Sequence, residues 1–394
     1  MRTDRNRRAL SGSSPAELSH WTDTIPFRPT AGGGRSTPER FFNGWELTVQ
    51  PGAPYLPSAE LDVIRLRSTL LQAIRRYFLD IGYWEVETPV LSRDVVVDAH
   101  LDPFRTESSS LPGAETFYLQ TSPEFHMKRL LAAGAAQIFQ LSRVMRRGEV
   151  GRLHNPEFTM IEWYRVGDTM HEQMACTEGL VRAVVDAAIW QGGQGRIEGA
   201  LALGLRMGTA PFLRLTYDEA FEQYAGQRVL NCTPEELAAL AGRHGISVPP
   251  GLQRDDRDGW LNLLLACVVE PNLGTTRPVF LYDFPASQSA LAQVRDDNPP
   301  VAERFELYIG GIELCNGYHE LTDADELRKR IEVQSDIRSR EGLSALPAGS
   351  HLLEAMDAGL PECSGVALGF DRLVMLAAGK ESLAEVMAFP FDRA

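Results

Sequence analysis

Cysteine is scarce in this chain: five residues in 394, Cys176, Cys232, Cys267, Cys315 and Cys363, scattered and without a C-x-x-C pair. An odd, dispersed set of thiols argues against a disulfide framework and a zinc site, and it suits a reducing cytoplasm. Long apolar runs are missing as well. None approaches the length of a membrane span, and no signal-peptide core stands at the start, so no membrane role is expected. Positive charge is in short supply, with 39 Lys and Arg against 53 Asp and Glu, a net charge of −14. That balance disfavours broad electrostatic binding of nucleic acid while leaving room for a local basic patch. Residues 58–394 contain no internal repeat or low-complexity segment. What remains, 44% hydrophobic and 23% charged, is a globular composition with length for one large domain or two ordinary ones.

Residues 1–57 are rich in Arg, Ser, Gly and Pro and read as a mostly disordered extension. A transit peptide fits less well, because Asp4, Glu17 and Asp23 interrupt it. From Ser58 a helix is expected, with Leu61, Ile64, Leu71, Ile74 and Phe78 at helical spacing and Gly82 just past its end. A strand, Tyr83–Thr88, follows and is stopped by Pro89. In ETFYLQTSPEFHMKRLLAAG a strand ends at Thr121, Ser122 is placed to cap a helix, Pro123 suits its first position and Gly134 closes it. Glu124 then lies in the first turn, where the helix dipole favours a carboxylate with or without a ligand.

Gln137–Val166 reads as a hairpin with an unusually charged connection. Its second run alternates with period two, so Phe158, Met160, Glu162 and Tyr164 share one face. A carboxylate between aromatic residues makes a poor core and a good floor for a flat heterocycle and a cationic ligand. Arg146, Arg147 and Arg152 stand in the connection, where guanidinium forks suit phosphate oxygens. Solvated charge on an exposed hairpin is the plainer explanation of the same residues.

Residues 167–300 say less. Helical patterns near 172–190 and 234–244 suggest an insertion packed on a core, and FPASQSALAQ (Phe284–Gln293) is a turn into a short apolar stretch. RFELYIGGIELCNGYHEL says more. Gly310-Gly311 between alternating runs marks a two-residue hairpin. Tyr308 is then expected opposite Glu313 and Glu306 opposite Cys315, so Glu306 and Glu313 become diagonal neighbours on one face. Two such carboxylates repel unless a cation lies between them, and hard oxygen donors suit Mg²⁺. Glu320 has the opposite parity and joins them only through a bulge, expected at Gly317. In CSGVALGFDRLVML a small-residue strand from Gly365 to Gly369 runs into a helix beginning near Asp371.

In this order the segments resemble the three motifs of class II aminoacyl-tRNA synthetases. The helix and strand at about 61–89 resemble motif 1, FQLSRVMRRGEVGRLHNPEFTMIEWY within 137–166 resembles motif 2, and residues 363–378 resemble motif 3. HMKRLL, FPASQ, GYHELTDA, CSGVALG and the ending LAEVMAFPFDRA are similar to the truncated lysyl-tRNA synthetase paralogues that ligate (R)-β-lysine to elongation factor P. The resemblance implies an α+β catalytic domain over 58–394, a mainly antiparallel sheet flanked by helices, and a homodimer through motif 1. It implies that Arg146 grips the α-phosphate of ATP, His154 faces the outer phosphates, Asn155 holds the adenine edge, and Phe158 and Arg372 sandwich the ring. Leu314 and Gly369 lie beside the nucleotide, and Glu306 and Glu313 carry Mg²⁺. Glu124 binds the amino group near the substrate carboxylate, with Ser122 and Pro123 beside it among the substrate-binding residues. Glu162, Tyr164, Asn316, Tyr318 and Glu320 read a lysine-like ammonium.

Three departures stand out. Synthetases place an acid two residues after the motif 2 arginine; here Gly148 holds that place and Glu149 follows. Leu153 replaces an arginine before the histidine. Ala367 stands where lysyl enzymes carry glycine, so a methyl projects into the pocket floor. No anticodon-binding barrel is expected in residues 1–57, so tRNA is not the expected acceptor. The reaction implied is two-step acyl transfer through an acyl-adenylate, with Arg146 and Arg372 as catalytic residues. A minimal tRNA-lysylating enzyme and a catalytically silent nucleotide-binding paralogue are the alternatives.

Overall fold

Apolar residues at helical spacing and an aspartate in the first turn make Leu61–Asp80 a helix, α1. Val63, Leu66, Leu70, Ile74 and Phe78 are buried along it, each worth about 1.5–3 kcal/mol relative to exposure. The computed structural model describes residues 55–98, 101–107, 116–191 and 198–394. The disordered extension expected over 1–57 therefore lies, up to residue 54, outside the described residues. After α1, Gly82 takes φ 87° to turn the chain. Only Trp84–Glu85 (β1) of the expected strand then pairs in a ladder.

Leu91–Ser92 (β2), Arg105–Glu107 (β3) and Thr116–Leu119 (β4) make a small sheet in the order β2-β4-β3. Helix α2 runs Glu124–Ala132. It starts one residue later than the sequence suggests: Pro123 is the cap, and the Ser122 hydroxyl accepts from the Glu124 amide at 3.1 Å. The charged hairpin is β5 (Gln137–Met145) and β6 (Glu157–Val166). Next come α3 (Met170–Gln191), α4 (Glu198–Met207), β7 (Leu213–Thr216), α5 (Tyr217–Ala225), α6 (Pro234–Arg243) and α7 (Arg257–Leu264). β8 (Val279–Pro285), β9 (Val294–Arg295), β10 (Val301–Ile309) and β11 (Ile312–His319) follow. α8 (Ala324–Arg340), α9 (His351–Gly359), β12 (Cys363–Gly369) and α10 (Phe370–Ala378) complete the order.

The main sheet runs β1-β5-β6-β12-β11-β10-β8-β7, with β9 on β10. Only β1–β5 and β7–β8 pair in parallel, so the fold is α+β with a mainly antiparallel sheet. Residues 167–300 are thus more than an insertion: β7 and β8 extend the sheet itself.

One face of the sheet carries Phe139, Ile161, Trp163, Phe305, Leu307, Val366 and Leu368, in one core with residues of α1, α3, α4 and α10. On the other face, Ile138 and Tyr164 pack with residues of α2, α8 and α9 at one end. Leu281 and Tyr308 pack with α5, α6 and α7 at the other. Between these two clusters the second face carries the polar residues of the site.

The two-residue connection of β10 and β11 forms as expected, with Gly310 at φ 63° and Gly311 at φ 75°, the left-handed pair of a type I′ turn. The register beyond it differs. Tyr308 pairs with Glu313, but Leu307 pairs with Cys315 and Glu306 with Asn316. The irregularity leaves Leu314 as the extra residue, so the bulge lies there and not at Gly317. Gly317 stays in register opposite Phe305, whose ring would meet a β-carbon at 2.4 Å. Placing the extra residue at Leu314 flips the parity after Glu313. Asn316 and Tyr318 thereby come to the face of Glu306 and Glu313.

Candidate active site

The ladder aligns the polar residues in rows across four strands. Glu162 pairs with Ala367, Ala367 with Asn316, and Asn316 with Glu306. At about 4.8 Å per strand, this row spans roughly 14 Å of backbone. Two residues along lies the row Tyr164, Gly365, Tyr318 and Arg304. The Ala367 methyl therefore stands on the floor between Glu162 and Asn316.

A cavity of about 190 Å³ opens over the bulge end of this floor. Arg146, Glu149, Leu153, His154 and Asn155 line it from the β5–β6 connection, Phe158 from β6, Glu313, Leu314 and Asn316 from β11, and Ala367, Gly369 and Arg372 from motif 3. The Arg146 guanidinium lies 5.2 Å from the Phe158 ring centroid. Arg372 donates to the Glu313 carbonyl at 2.8 Å and to His154 Nε2 at 2.9 Å. Burial, then the Arg372 charge, lowers the His154 pKa, so the ring accepts that bond in neutral form.

Gly148 takes φ 84° and is absent from the cavity wall. The left-handed turn brings the acid in one residue later: Glu149 lines the cavity, 3.7 Å from Arg146. Two other arginines of the connection are turned away. Arg147 pairs with Asp102 at 3.0 Å, and Arg152 donates to the Glu381 carbonyl at 2.8 Å. Both ends of the Asn155 amide are engaged, Nδ2 with the Glu157 carbonyl at 2.6 Å and Oδ1 with the Phe391 amide at 2.9 Å. The residue braces the connection against the C-terminal segment. Gly369 leaves open floor, since a β-carbon there would make only ordinary contact at 3.8 Å.

Glu306 and Glu313 share a face but differ in environment. Glu306 is buried, with Oε1 2.5 Å from Arg304 and Oε2 accepting from Tyr308 at 2.6 Å. Burial first, tempered by Arg304 and reinforced by Glu313, pushes its pKa up to about 7. The Glu313 carboxylate is 39% exposed and faces the cavity, 3.4 Å from Arg372. A magnesium ion takes one or two carboxylates together with phosphate oxygens and water. Glu313 fits that demand, whereas the charge of Glu306 is already matched by Arg304.

At the other end of the floor, Glu162 accepts from Ser122 Oγ at 2.7 Å and from Tyr164 at 2.6 Å. Glu124 and Glu320 meet at Lys128, whose Nζ lies 2.6 Å from the first and 2.5 Å from the second. Burial, and next Glu124, pushes the Glu162 pKa up to about 7. For Glu320, burial leads, opposed by Lys128, and the pKa rises to about 8. The Lys128 ammonium is destabilised by burial, yet the two carboxylates outweigh this and hold its pKa above the ordinary value.

Sequence reasoning missed Lys128, Arg304, Tyr308, Gly365 and Asp371. Lys128 follows Glu124 by four residues, the spacing of an ordinary surface pair. Arg304 is held by the FPASQ segment, 4.5 Å over the Phe284 ring and donating to the Gln288 carbonyl at 3.0 Å. Asp371 binds Arg67 of α1 at 2.5 Å and the Thr159 amide at 2.6 Å, fixing motif 3 to the floor.

The family model for tRNA synthetases class II (D, K and N) matches residues 58–393. Proteins named elongation factor P–(R)-β-lysine ligase from Salmonella arizonae, Salmonella dublin and Salmonella paratyphi B are each 44% identical over 345 residues. Each alignment covers 87% of this chain and 99% of the relative.

Proposed function

The chain belongs to the class II tRNA synthetases of the D, K and N group, and on that footing we propose that residues 58–394 form an ATP-dependent ligase domain. It activates (R)-β-lysine, or lysine, and transfers it to the ε-amine of a lysine on elongation factor P. The observation that carries this reading is one sheet face that holds an arginine-rimmed cavity at one end and three buried carboxylates at the other. An extended acid with two ammonium groups spans those ends with its carboxylate toward the cavity. The names of the relatives support elongation factor P as acceptor in place of tRNA.

In the first step a carboxylate oxygen of the amino acid attacks the α-phosphorus of ATP. The bond to the β-phosphate oxygen breaks, giving the acyl-adenylate and pyrophosphate. Arg146, Arg372 and Glu149 position the nucleotide, and the guanidinium charges stabilise the transition state. Glu313 would hold Mg²⁺, which would supply charge neutralisation on the phosphates, while Glu306 stays paired with Arg304. In the second step the neutral ε-amine attacks the acyl carbon, AMP leaves, and the amine loses a proton as the amide forms.

A second copy of the chain is expected on the motif 1 side, where Leu79, Ile81, Trp84 and Leu91 are 43–63% exposed. Among the described residues no helix is long and apolar enough to cross a membrane. All five cysteines are free thiols.

The test is exchange of labelled pyrophosphate into ATP. Dibasic amino acids should support it and norleucine should not, and Glu313→Gln should abolish it in a folded protein. Exchange that ignores the amino acid, or that survives Glu313→Gln undiminished, would contradict the reading.

A further inference from the structure

Four charged side chains meet at the amino-acid end with almost no exposure: Glu162 and Glu320 at 1%, Lys128 at 2% and Glu124 at 9%. Burying an ion pair costs desolvation that its attraction repays only in part. The cluster is therefore poorly explained as a stability device. Lys128 is also more than an intrahelical pair with Glu124. Its second partner, Glu320, directly follows β11, 192 residues on, and the same nitrogen touches both. Glu162 stands apart from this clamp, held by Ser122 and Tyr164.

The charges can be counted. Glu124, Glu162 and Glu320 contribute three negative charges when ionised, and Lys128 contributes one positive charge, leaving a formal −2. We propose that Lys128 is a specificity-determining positioning residue: its ammonium clamps Glu124 to Glu320 and sets the pocket charge to the complement of a diammonium acid. The inference rests on the functional reading above, that these carboxylates receive an amino acid, and it deepens that reading.

Two consequences follow from the geometry. Each clamped carboxylate spends one oxygen on Lys128 and keeps the other for the ligand, so the clamp fixes where the two ammonium groups are received. An acid with one ammonium leaves a buried carboxylate unmatched, and a buried unmatched charge is strongly unfavourable. Selection by charge count then adds to selection by shape. Glu124, Glu162, Glu320, Tyr164, Tyr318 and the Cys363 thiol are titratable groups around the clamp, with Arg304 beyond Tyr318.

The experiment measures KM for lysine, for (R)-β-lysine and for ATP by pyrophosphate exchange. It compares the wild type, Lys128→Met and the double variant Lys128→Met/Glu320→Gln. Lys128→Met should raise the amino-acid KM at least about tenfold while the ATP KM stays within about twofold. The double variant returns the formal charge to −2, so its amino-acid KM should fall below that of Lys128→Met. A structural role alone would give no such reversal. An unmoved amino-acid KM in Lys128→Met, or a further rise in the double variant, overturns the proposal. Should Lys128→Met fail to fold, a double variant that folds and binds the amino acid supports it, and one no more stable than the single overturns it. A wild type that activates no dibasic acid overturns the functional reading and this inference together.

Discussion

Gly365 stands opposite Tyr164 on the neighbouring strand, and a β-carbon at position 365 would fall 2.2 Å from the tyrosine ring and 2.7 Å from Glu320 Oε1. The residue is glycine because the ring and the carboxylate occupy the space a side chain would need. Tyr164 in turn delivers its hydroxyl to Glu162. Gly365→Ala should therefore displace both groups, costing about 1–3 kcal/mol of stability as overpacking does. It should raise the amino-acid KM about tenfold with the ATP KM little changed. Denaturant midpoints and the two KM values check this, and a wild-type-like variant would mean that the ring has room to retreat.

The raised carboxylates give the site a pH dependence of definite sign. Burial leads the rise of Glu162 to about 7 and of Glu320 to about 8. An acid with a raised pKa holds its proton below that value and is ionised only above it, and an ammonium ligand needs the ionised form. The amino-acid KM should fall as pH rises from about 6 to about 8.5, while the ATP KM stays level. Proton release on amino-acid binding near pH 7 provides the second readout. A KM that rises over this interval would contradict the assignment.

Arg304 is the counter-charge of Glu306, 2.5 Å from its Oε1. Arg304→Met should cost about 3–5 kcal/mol, because it strands a buried carboxylate. Adding Glu306→Gln should recover part of that loss, as urea unfolding of the single and double variants would show. An equal loss in both would mean that Arg304 acts through its packing on Phe284.

Ala367 sits on the floor between Glu162 and Asn316. One methyl group discriminates by about 1–3 kcal/mol. Ala367→Gly should raise activation of α-lysine relative to (R)-β-lysine by about tenfold, read as the ratio of the two kcat/KM values. An unchanged ratio places the selectivity elsewhere in the pocket.

Much of this arrangement is legible in the sequence, for physical reasons that can be named. Period-two alternation fixes which residues of 157–166 share a face, and Gly310-Gly311 fixes the hairpin. Parity alone then fails at Leu314, because a bulge is chosen by what packs beneath it: Phe305 needs Gly317 in register. Lys128 and Arg304 were hidden for a related reason. An i, i+4 pair and a strand arginine look like surface charge until distant elements bury them, Glu320 in one case and Phe284 with Glu306 in the other. The shift of the acid to Glu149 depends on the left-handed turn at Gly148, which spacing does not reveal.

The most direct test of the central claim is intact-mass spectrometry of elongation factor P incubated with the enzyme, ATP and either (R)-β-lysine or lysine. Elongation factor P should gain the mass of one lysyl residue, dependent on ATP and lost on replacing its acceptor lysine by arginine, with no comparable acylation of bulk tRNA in a parallel reaction. An unmodified elongation factor P beside efficiently lysylated tRNA would contradict it.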